Sequence, residues 1–145
     1  MFRGRSKHTL DEKGRLAIPA RFREVLKKKN EYCLVLTNHF NCLWAFASED
    51  WRIIENSAAN LSLFDRAVNT YRRYFISGAQ ECPLKQGRIT IPPDLREIAG
   101  LKKDLVLVGE LKLFEIWEKE RWEEEFERAK SSFPEVSQSL SELGI

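Results

Sequence analysis

The hexapeptide Gly-Arg-Leu-Ala-Ile-Pro at residues 14–19 returns as Gly-Arg-Ile-Thr-Ile-Pro at residues 87–92. In both places a stretch with helical spacing follows, and an apolar run typical of a strand comes next, at residues 33–36 and 105–108. Internal repetition of this kind indicates that one structural unit occurs twice in the chain. The sequence therefore predicts two matching halves, each of about 50 residues, joined by a connector.

Within each half the residue pattern predicts the same order of elements. Leu16 and Ile18 alternate with more polar positions, which is the period of a half-buried strand. Pro19 and Pro92 stand where a helix begins, a position that tolerates the missing N–H of proline. A β-turn-β-α-β-β unit of this size has too little core to be stable alone, so we expect the two halves to interlock.

The segments outside the repeats are mostly helical in pattern. Apolar residues recur at three- and four-residue steps from residue 50 to 79, with a break expected at Asn56-Ser57 or at Asn60. Residues 118–130 form a second helical stretch, and the Ser, Pro and Gln residues after it predict a loose tail with at most one helical turn. The expected organisation is a first half (residues 1–50), a helical connector (51–79), a second half with a C-terminal helix (80–130) and a tail (131–145).

Composition restricts the class of protein. The chain has 145 residues, of which 43% are hydrophobic, and four Trp and nine Phe supply large apolar surfaces for a core. No apolar run approaches the length of a membrane span, and the N-terminal stretch lacks the apolar core of a signal peptide. Three cysteines without a Cys-x-x-Cys motif suit a reducing compartment. We therefore expect a soluble, cytoplasmic, globular protein.

Charge is distributed unevenly along the chain although the net charge is only +2. Residues 1–30 hold ten Lys and Arg residues against three acidic ones, whereas residues 110–130 hold eight Glu against five basic residues. One interpretation is an ordinary solvated surface, with the lysines at 27–29 closing a helix against its dipole. The other is an N-terminal surface that faces a polyanion.

The residues that carry enzyme chemistry do not form a recognisable pattern. The two histidines, His8 and His39, are isolated, and no motif of a metalloprotease, phosphate-binding loop, serine hydrolase or dinucleotide-binding fold occurs. No nucleophile, base or metal constellation is available to assign roles. The sequence therefore indicates a protein that is not an enzyme and that uses no metal or cofactor.

The turn at residues 10–15 is the strongest candidate for a binding element. Asp11 and Arg15 flank a reversal of the chain in which Gly14 tolerates a positive φ. A carboxylate here accepts turn N–H groups and holds the arginine side chain. Such a pair is either a solvated surface ion pair of little energetic consequence, or an oriented guanidinium, with Lys13 beside it, that meets phosphates or a guanine edge.

Several short sequence motifs resemble those of the MraZ family. They occur in the same order and span nearly the whole chain, to about residue 130. They are Met-Phe-Arg-Gly at 1–4, Leu-Asp-Glu-Lys-Gly-Arg-Leu-Ala-Ile-Pro at 10–19, Tyr-Arg-Arg at 71–73, Ser-Gly-Ala at 77–79 and Arg-Glu-Ile-Ala-Gly-Leu at 96–101. The resemblance implies an α+β fold. In it, two tandem swapped-hairpin AbrB-like (SpoVT/AbrB) β-α units interlock into one small barrel-like core, with a connecting helical segment and a C-terminal helix.

The resemblance also implies a function. MraZ proteins are sequence-specific transcription regulators that bind double-stranded DNA at direct repeats in the promoter of their own division and cell-wall operon. They form homo-oligomeric rings, and such a protein is expected in the cytoplasm, associated with the nucleoid. No membrane and no small-molecule substrate is implied.

Each half of the family carries an Asp-x-x-x-Arg signature, and only the first is intact here. Asp11 and Arg15 match it, but the second turn, Leu84-Lys85-Gln86-Gly87-Arg88, is one residue shorter and lacks the aspartate. We therefore expect the second half, with Arg88, either to contact DNA weakly or to serve mainly as scaffold. The expected DNA-binding residues are Arg15, Lys13, Arg3, Arg5, Lys7 and Arg88, and the expected turn-orienting residues are Asp11 and Gly14.

Two other functions remain open from the sequence. A ring-forming scaffold would use the same basic face to bind an acidic protein or RNA. An AbrB-type antitoxin would hold a toxin, but such proteins resemble a single half with a toxin-binding tail, which argues against that interpretation here.

Overall fold

The computed structural model describes residues 1–145 as eight β-strands, five α-helices and one short π-helix. The strands are β1 Arg5–Thr9, β2 Arg15–Ala17, β3 Cys33–His39, β4 Cys42–Ala47, β5 Gln80–Pro83, β6 Arg88–Thr90, β7 Asp104–Glu110 and β8 Leu113–Glu118. The helices are α1 Ala20–Lys28, α2 Ser48–Ala59, α3 Arg66–Tyr71 continued by the π-helix Arg72–Ile76, α4 Pro93–Ile98 and α5 Lys119–Ser141. No helix combines the length and apolar composition that a membrane crossing requires.

Strands of the two halves pair with one another in both sheets, which confirms the expected interlocking. Six antiparallel strands form one sheet in the order β1-β7-β8-β4-β3-β5, and β2 and β6 form a separate two-stranded ribbon. The main sheet has two edges, at β1 and β5, so the expected barrel-like core consists of a sheet and a ribbon and not of one closed barrel. Because strands of each half pair with strands of the other, neither half completes its β-structure alone.

The strands on either side of the first turn belong to different sheets. β1 pairs with β7, from Arg5 opposite Val108 to Thr9 opposite Asp104, whereas β2 pairs with β6. The turn between β1 and β2 therefore carries the chain from the main sheet to the ribbon. Leu16 and Ile89 face each other in the ribbon and are buried, so the ribbon contributes its inner side to the core.

The main core is a single cluster of 19 buried residues contributed by both halves. Phe2, Phe22 and Phe114 form its aromatic centre, with ring centroids 4.8 to 5.3 Å apart. The backbone of Phe2 also pairs with Leu111, because each N–H donates to the other residue's carbonyl, at 2.7 and 2.8 Å. The N-terminus is therefore anchored by both packing and hydrogen bonds.

The matching tryptophans occupy equivalent places on the outer face of the main sheet. Trp51 of α2 packs on Phe46 with centroids 5.3 Å apart, and Trp122 of α5 packs on Trp117 at 5.8 Å. Between them Glu115 is buried and accepts hydrogen bonds from the indole N–H groups of Trp44 and Trp117, both at 2.9 Å. A repeated structural role for the tryptophans explains their matching positions in the sequence.

The C-terminal segment differs from the expected loose tail. α5 continues to Ser141, well past Lys130, although Pro134 lies inside it. Proline removes one helical hydrogen bond and crowds the preceding turn, but the apolar residues keep their helical spacing through it. The hydroxyls of Ser132 and Ser139 donate to carbonyls four residues earlier in the helix. Helix α2 runs unbroken through Asn56-Ser57 and ends at Ala59, next to Asn60, the other of the two expected breaks.

Candidate nucleic-acid interface

The Asp11 side chain organises the turn between β1 and β2 in the way the sequence predicts. Its Oδ1 accepts the backbone N–H of Lys13 at 2.9 Å and that of Arg15 at 2.8 Å. Its Oδ2 accepts the Nε–H of the Arg15 guanidinium at 2.6 Å. One carboxylate thus fixes both the backbone of the turn and the direction in which the guanidinium leaves it.

The same contacts set the electrostatics of the turn. The backbone N–H of Arg15 is the largest influence that lowers the pKa of Asp11, and the Arg15 guanidinium and the Lys13 N–H lower it further. Asp11 is therefore ionised, and holds Arg15, throughout the neutral pH range. The side chain of Arg15 keeps 40% of its surface exposed, so its remaining N–H donors face solvent.

The ribbon presents its polar side chains outward. In the β2–β6 register Arg15 lies opposite Thr90 and Ala17 lies opposite Arg88. Arg15 and Arg88 are therefore diagonal neighbours on one face, which corresponds to a separation of roughly 7–8 Å between their positions. An antiparallel ribbon has a width that the DNA major groove admits, and this one carries an arginine on each strand.

The second turn has a different geometry, which accounts for its shorter sequence. Gln86 and Gly87 both have positive φ, 53° and 76°, and the backbones of Lys85 and Arg88 exchange two hydrogen bonds across them. This is the two-residue turn that suits the twist of paired strands. It has no position equivalent to Asp11. No carboxylate therefore orients Arg88 as Asp11 orients Arg15, and the side chain of Arg88 is exposed.

A helix from the opposite half packs against each turn. Arg96 of α4 lies over the first turn, where a Cβ on Gly14 would be 2.8 Å from its Cζ. Arg23 of α1 lies beside the second turn, 3.5 Å from the corresponding position on Gly87. Arg23 and Arg96 occupy matching places in the repeat, which is the signal that could have identified them. Sequence reasoning missed both because it considered each turn with its own half.

Arg96 differs from Arg23 in its hydrogen bonding. The Nε–H of Arg23 donates to the carbonyl of Ile18 at 3.1 Å, whereas the Nε of Arg96 is buried without a hydrogen-bond partner. The Arg96 guanidinium therefore lies against Gly14 without an ion pair to a carboxylate.

The close approach of Arg96 predicts different effects of alanine at the two turn glycines. Gly14 and Gly87 have nearly equal φ values, +78° and +76°, so alanine meets a similar backbone strain at both, about 1 kcal/mol. Only Gly14→Ala also forces the Arg96 guanidinium to move. We expect Gly14→Ala to lower the free energy of unfolding, measured in urea, by more than Gly87→Ala does. Equal losses of unfolding free energy in the two variants would show that the Arg96 contact does not contribute to stability.

The remaining predicted residues lie on or next to β1, and only some approach the ribbon. Lys7 lines a cleft of about 450 Å³, together with Ala17 of the ribbon and Lys119. The guanidinium of Arg5 instead stacks over the ring of Phe126 in α5, 4.8 Å from its centroid. Arg3 is exposed at the start of the chain. The structure thus groups Lys13, Arg15 and Arg88 around the ribbon, places Lys7 next to it, and turns Arg5 toward α5.

Comparison with known proteins agrees with this two-part organisation. The model of the family described as "MraZ protein, putative antitoxin-like" matches twice, at residues 1–74 and 75–142. A protein of Syntrophobacter fumaroxidans named "Transcriptional regulator MraZ" is 44% identical over 145 residues, which cover 99% of this chain and 97% of that protein. Proteins with the same name from Thermoanaerobacter sp. (strain X514) and Natranaerobius thermophilus are 42% and 36% identical, and in both comparisons the two chains are covered completely. The chain belongs to the MraZ family.

Proposed function

We propose that this protein regulates transcription by binding double-stranded DNA through the β2–β6 ribbon. The observation that carries the proposal is the Arg15 guanidinium, held by Asp11 at 2.6 Å and still 40% exposed at the end of an arginine-bearing ribbon. The family placement and the names of the relatives support a role in transcription regulation. The protein acts as a binding protein in this proposal and catalyses no reaction.

The roles of the basic residues follow from their geometry. Arg15 is fixed in direction and offers several N–H donors, so it is the residue suited to the O6 and N7 acceptors of a guanine in the major groove. Lys13 and Lys7 are exposed and carry compact charges on flexible stems, which suits phosphate contacts that set position without reading sequence. Arg88 lies on the same ribbon face without an orienting carboxylate and contributes less to specificity. Arg3 and Arg5 contribute charge from the β1 side.

One ribbon is too small to supply tight, specific binding alone. Specific protein–DNA interfaces typically bury roughly 1,000–2,500 Å² of protein surface. We propose that the chain forms a closed homo-oligomeric ring whose subunits engage successive short direct repeats in the promoter of its own division and cell-wall operon. Once one subunit is bound, its neighbours bind at a high effective concentration. The protein then acts in the cytoplasm, at the nucleoid.

The experiment is a fluorescence anisotropy titration with four probes of equal length. They are duplex DNA from immediately upstream of the gene, a scrambled duplex, RNA of the upstream sequence and polyglutamate. We expect the upstream duplex to bind at least tenfold more tightly than the scrambled duplex, with an affinity that falls steeply with salt because several phosphates are contacted. Equal affinity for the two duplexes would refute sequence-specific binding, and preference for RNA or polyglutamate would support the scaffold function instead.

A further inference from the structure

The apolar residues of α5 recur at alternating steps of four and three over its whole length. Trp122 and Phe126 begin this series, and their rings contact the main sheet at Trp117 and Arg5. The series continues along the same side of the helix with four further residues, which we call the distal seam: Ala129, Phe133, Val136 and Leu140. A 4-3 spacing is the seam of a helix that packs lengthwise against another helix.

Nothing in the chain covers the distal seam. Phe133 is 63% exposed and Val136 48%, although both continue the line of Trp122 and Phe126, which contact Trp117 and Arg5. The seam is about 17 Å long at the usual helical rise, which is roughly three helical turns. The spacing therefore specifies a helical partner, whereas the proximal part of the same stripe is already occupied by the main sheet.

We propose that the distal seam pairs with the distal seam of a second copy of this chain, with the two helices antiparallel. In heptad notation Phe133 and Leu140 are a positions, and Ala129 and Val136 are d positions. In the register that sets a against d, Phe133 lies against the partner's Val136, and Ala129 lies against the partner's Leu140. Both members of each pair are apolar, and two copies supply identical seams. This contact goes beyond the proposed function because it requires no DNA.

The position of the main sheet selects the antiparallel orientation. In a parallel pair the partner helix would continue along Trp122 and Phe126, into the space that the chain's own sheet occupies. In the antiparallel register the partner helix ends at its Ser141, beside residue 128, just before Phe126 meets the sheet. The helical part of the partner therefore stops short of Phe126.

The charges along the seam also fit an antiparallel copy. The flanking positions of the distal seam are Lys130, Ser132, Ser137 and Ser139, so two identical seams bring no like charges together. Lys130 lies at the level of the partner's last helical turn, whose carbonyls carry partial negative charge. The last turn of α5 contains no basic residue of its own, so Lys130 of the opposite copy supplies the missing positive charge.

The test is sedimentation velocity on the full chain, the seam variant Phe133→Glu/Leu140→Glu and the control variant Ser131→Glu/Gln138→Glu. The control adds the same charges, seven residues apart in the same helix, on the side opposite the seam. An antiparallel pair is a two-fold contact. We therefore expect the seam variant to have a lower mass than the unmodified assembly and the control to keep the full mass. Equal masses for the two variants would overturn the proposal.

Disulfide cross-linking tests the orientation. A mixture of Phe133→Cys chains and Val136→Cys chains is expected to form mixed dimers under mild oxidation, several-fold faster than either variant alone. The unmodified chain, whose three free cysteines are the half-buried Cys33 and the buried Cys42 and Cys82, gives the background. Efficient cross-linking of Phe133→Cys chains with each other would show a parallel pair and overturn the antiparallel arrangement. Neither experiment involves DNA, so a failure of the proposed function leaves both results interpretable.

Discussion

Replacing Arg15 with alanine is expected to abolish the preference for upstream DNA over scrambled duplex while leaving the assembly mass unchanged. A bidentate contact from arginine to guanine contributes about 1–3 kcal/mol of discrimination, which corresponds to a factor of roughly 5–150 at a single site. Because each subunit would read its own repeat, the loss compounds over the subunits that bind. The measurement is the ratio of the two dissociation constants by fluorescence anisotropy.

Arg88→Ala is the matched control for this prediction. It removes the same side chain from the same face of the ribbon, but no carboxylate orients Arg88. We expect Arg88→Ala to weaken the binding of both duplexes to a similar, small extent, as the loss of a phosphate contact does. Equal losses of preference in the two variants would mean that both halves read bases, and retained preference in Arg15→Ala would refute the role of Arg15.

Replacing Phe2 with alanine is expected to lower the free energy of unfolding by about 3–5 kcal/mol, the usual cost of deleting a buried phenylalanine ring. Phe2 is 1% exposed and contacts both Phe22 and Phe114, so its removal leaves a cavity between elements of the two halves. The free energy of unfolding of a small domain is about 5–15 kcal/mol, so the loss caused by Phe2→Ala is a large fraction of the total stability. Urea unfolding followed by tryptophan fluorescence measures it.

The control for the Phe2 substitution is Phe64→Ala. Phe64 is 97% exposed, so the same change of residue type there removes almost no buried surface. We expect a change within about 0.5 kcal/mol, as for surface substitutions in general. A small effect of Phe2→Ala would indicate that the N-terminal segment around Phe2 is not part of the cooperative core.

The sequence predicts the local parts of this fold well, because local parts depend on neighbouring residues. The hydrogen bonds from Lys13 and Arg15 to Asp11 follow from residue types within five positions of one another. The starts of α1 and α4 follow from Pro19 and Pro92 in the same way. The interlocking of the halves is predictable as well, since each repeat is too small to bury a core by itself.

The partners of each strand were not predictable from the same patterns. The pairing of β1 with β7 and of β2 with β6 joins residues that are far apart in the chain, and alternation in one strand does not specify its neighbour. Arg96 was missed for this reason, because it reaches the first turn only through the exchange between halves. The expected loose tail is wrong because Pro134 and the serines favour a break only locally, whereas the 4-3 spacing of Phe133, Val136 and Leu140 continues the helix to Ser141.

The most direct test of the account is a double-mutant cycle between Arg15 and the DNA. Each guanine of the upstream repeat is replaced in turn by 7-deazaguanine, which lacks the N7 acceptor, and the affinities of the unmodified chain and of Arg15→Ala are measured for every probe. We predict that one guanine per repeat loses about 1–3 kcal/mol of binding with the unmodified chain and almost nothing with Arg15→Ala. Additive losses at every guanine would contradict base reading by Arg15.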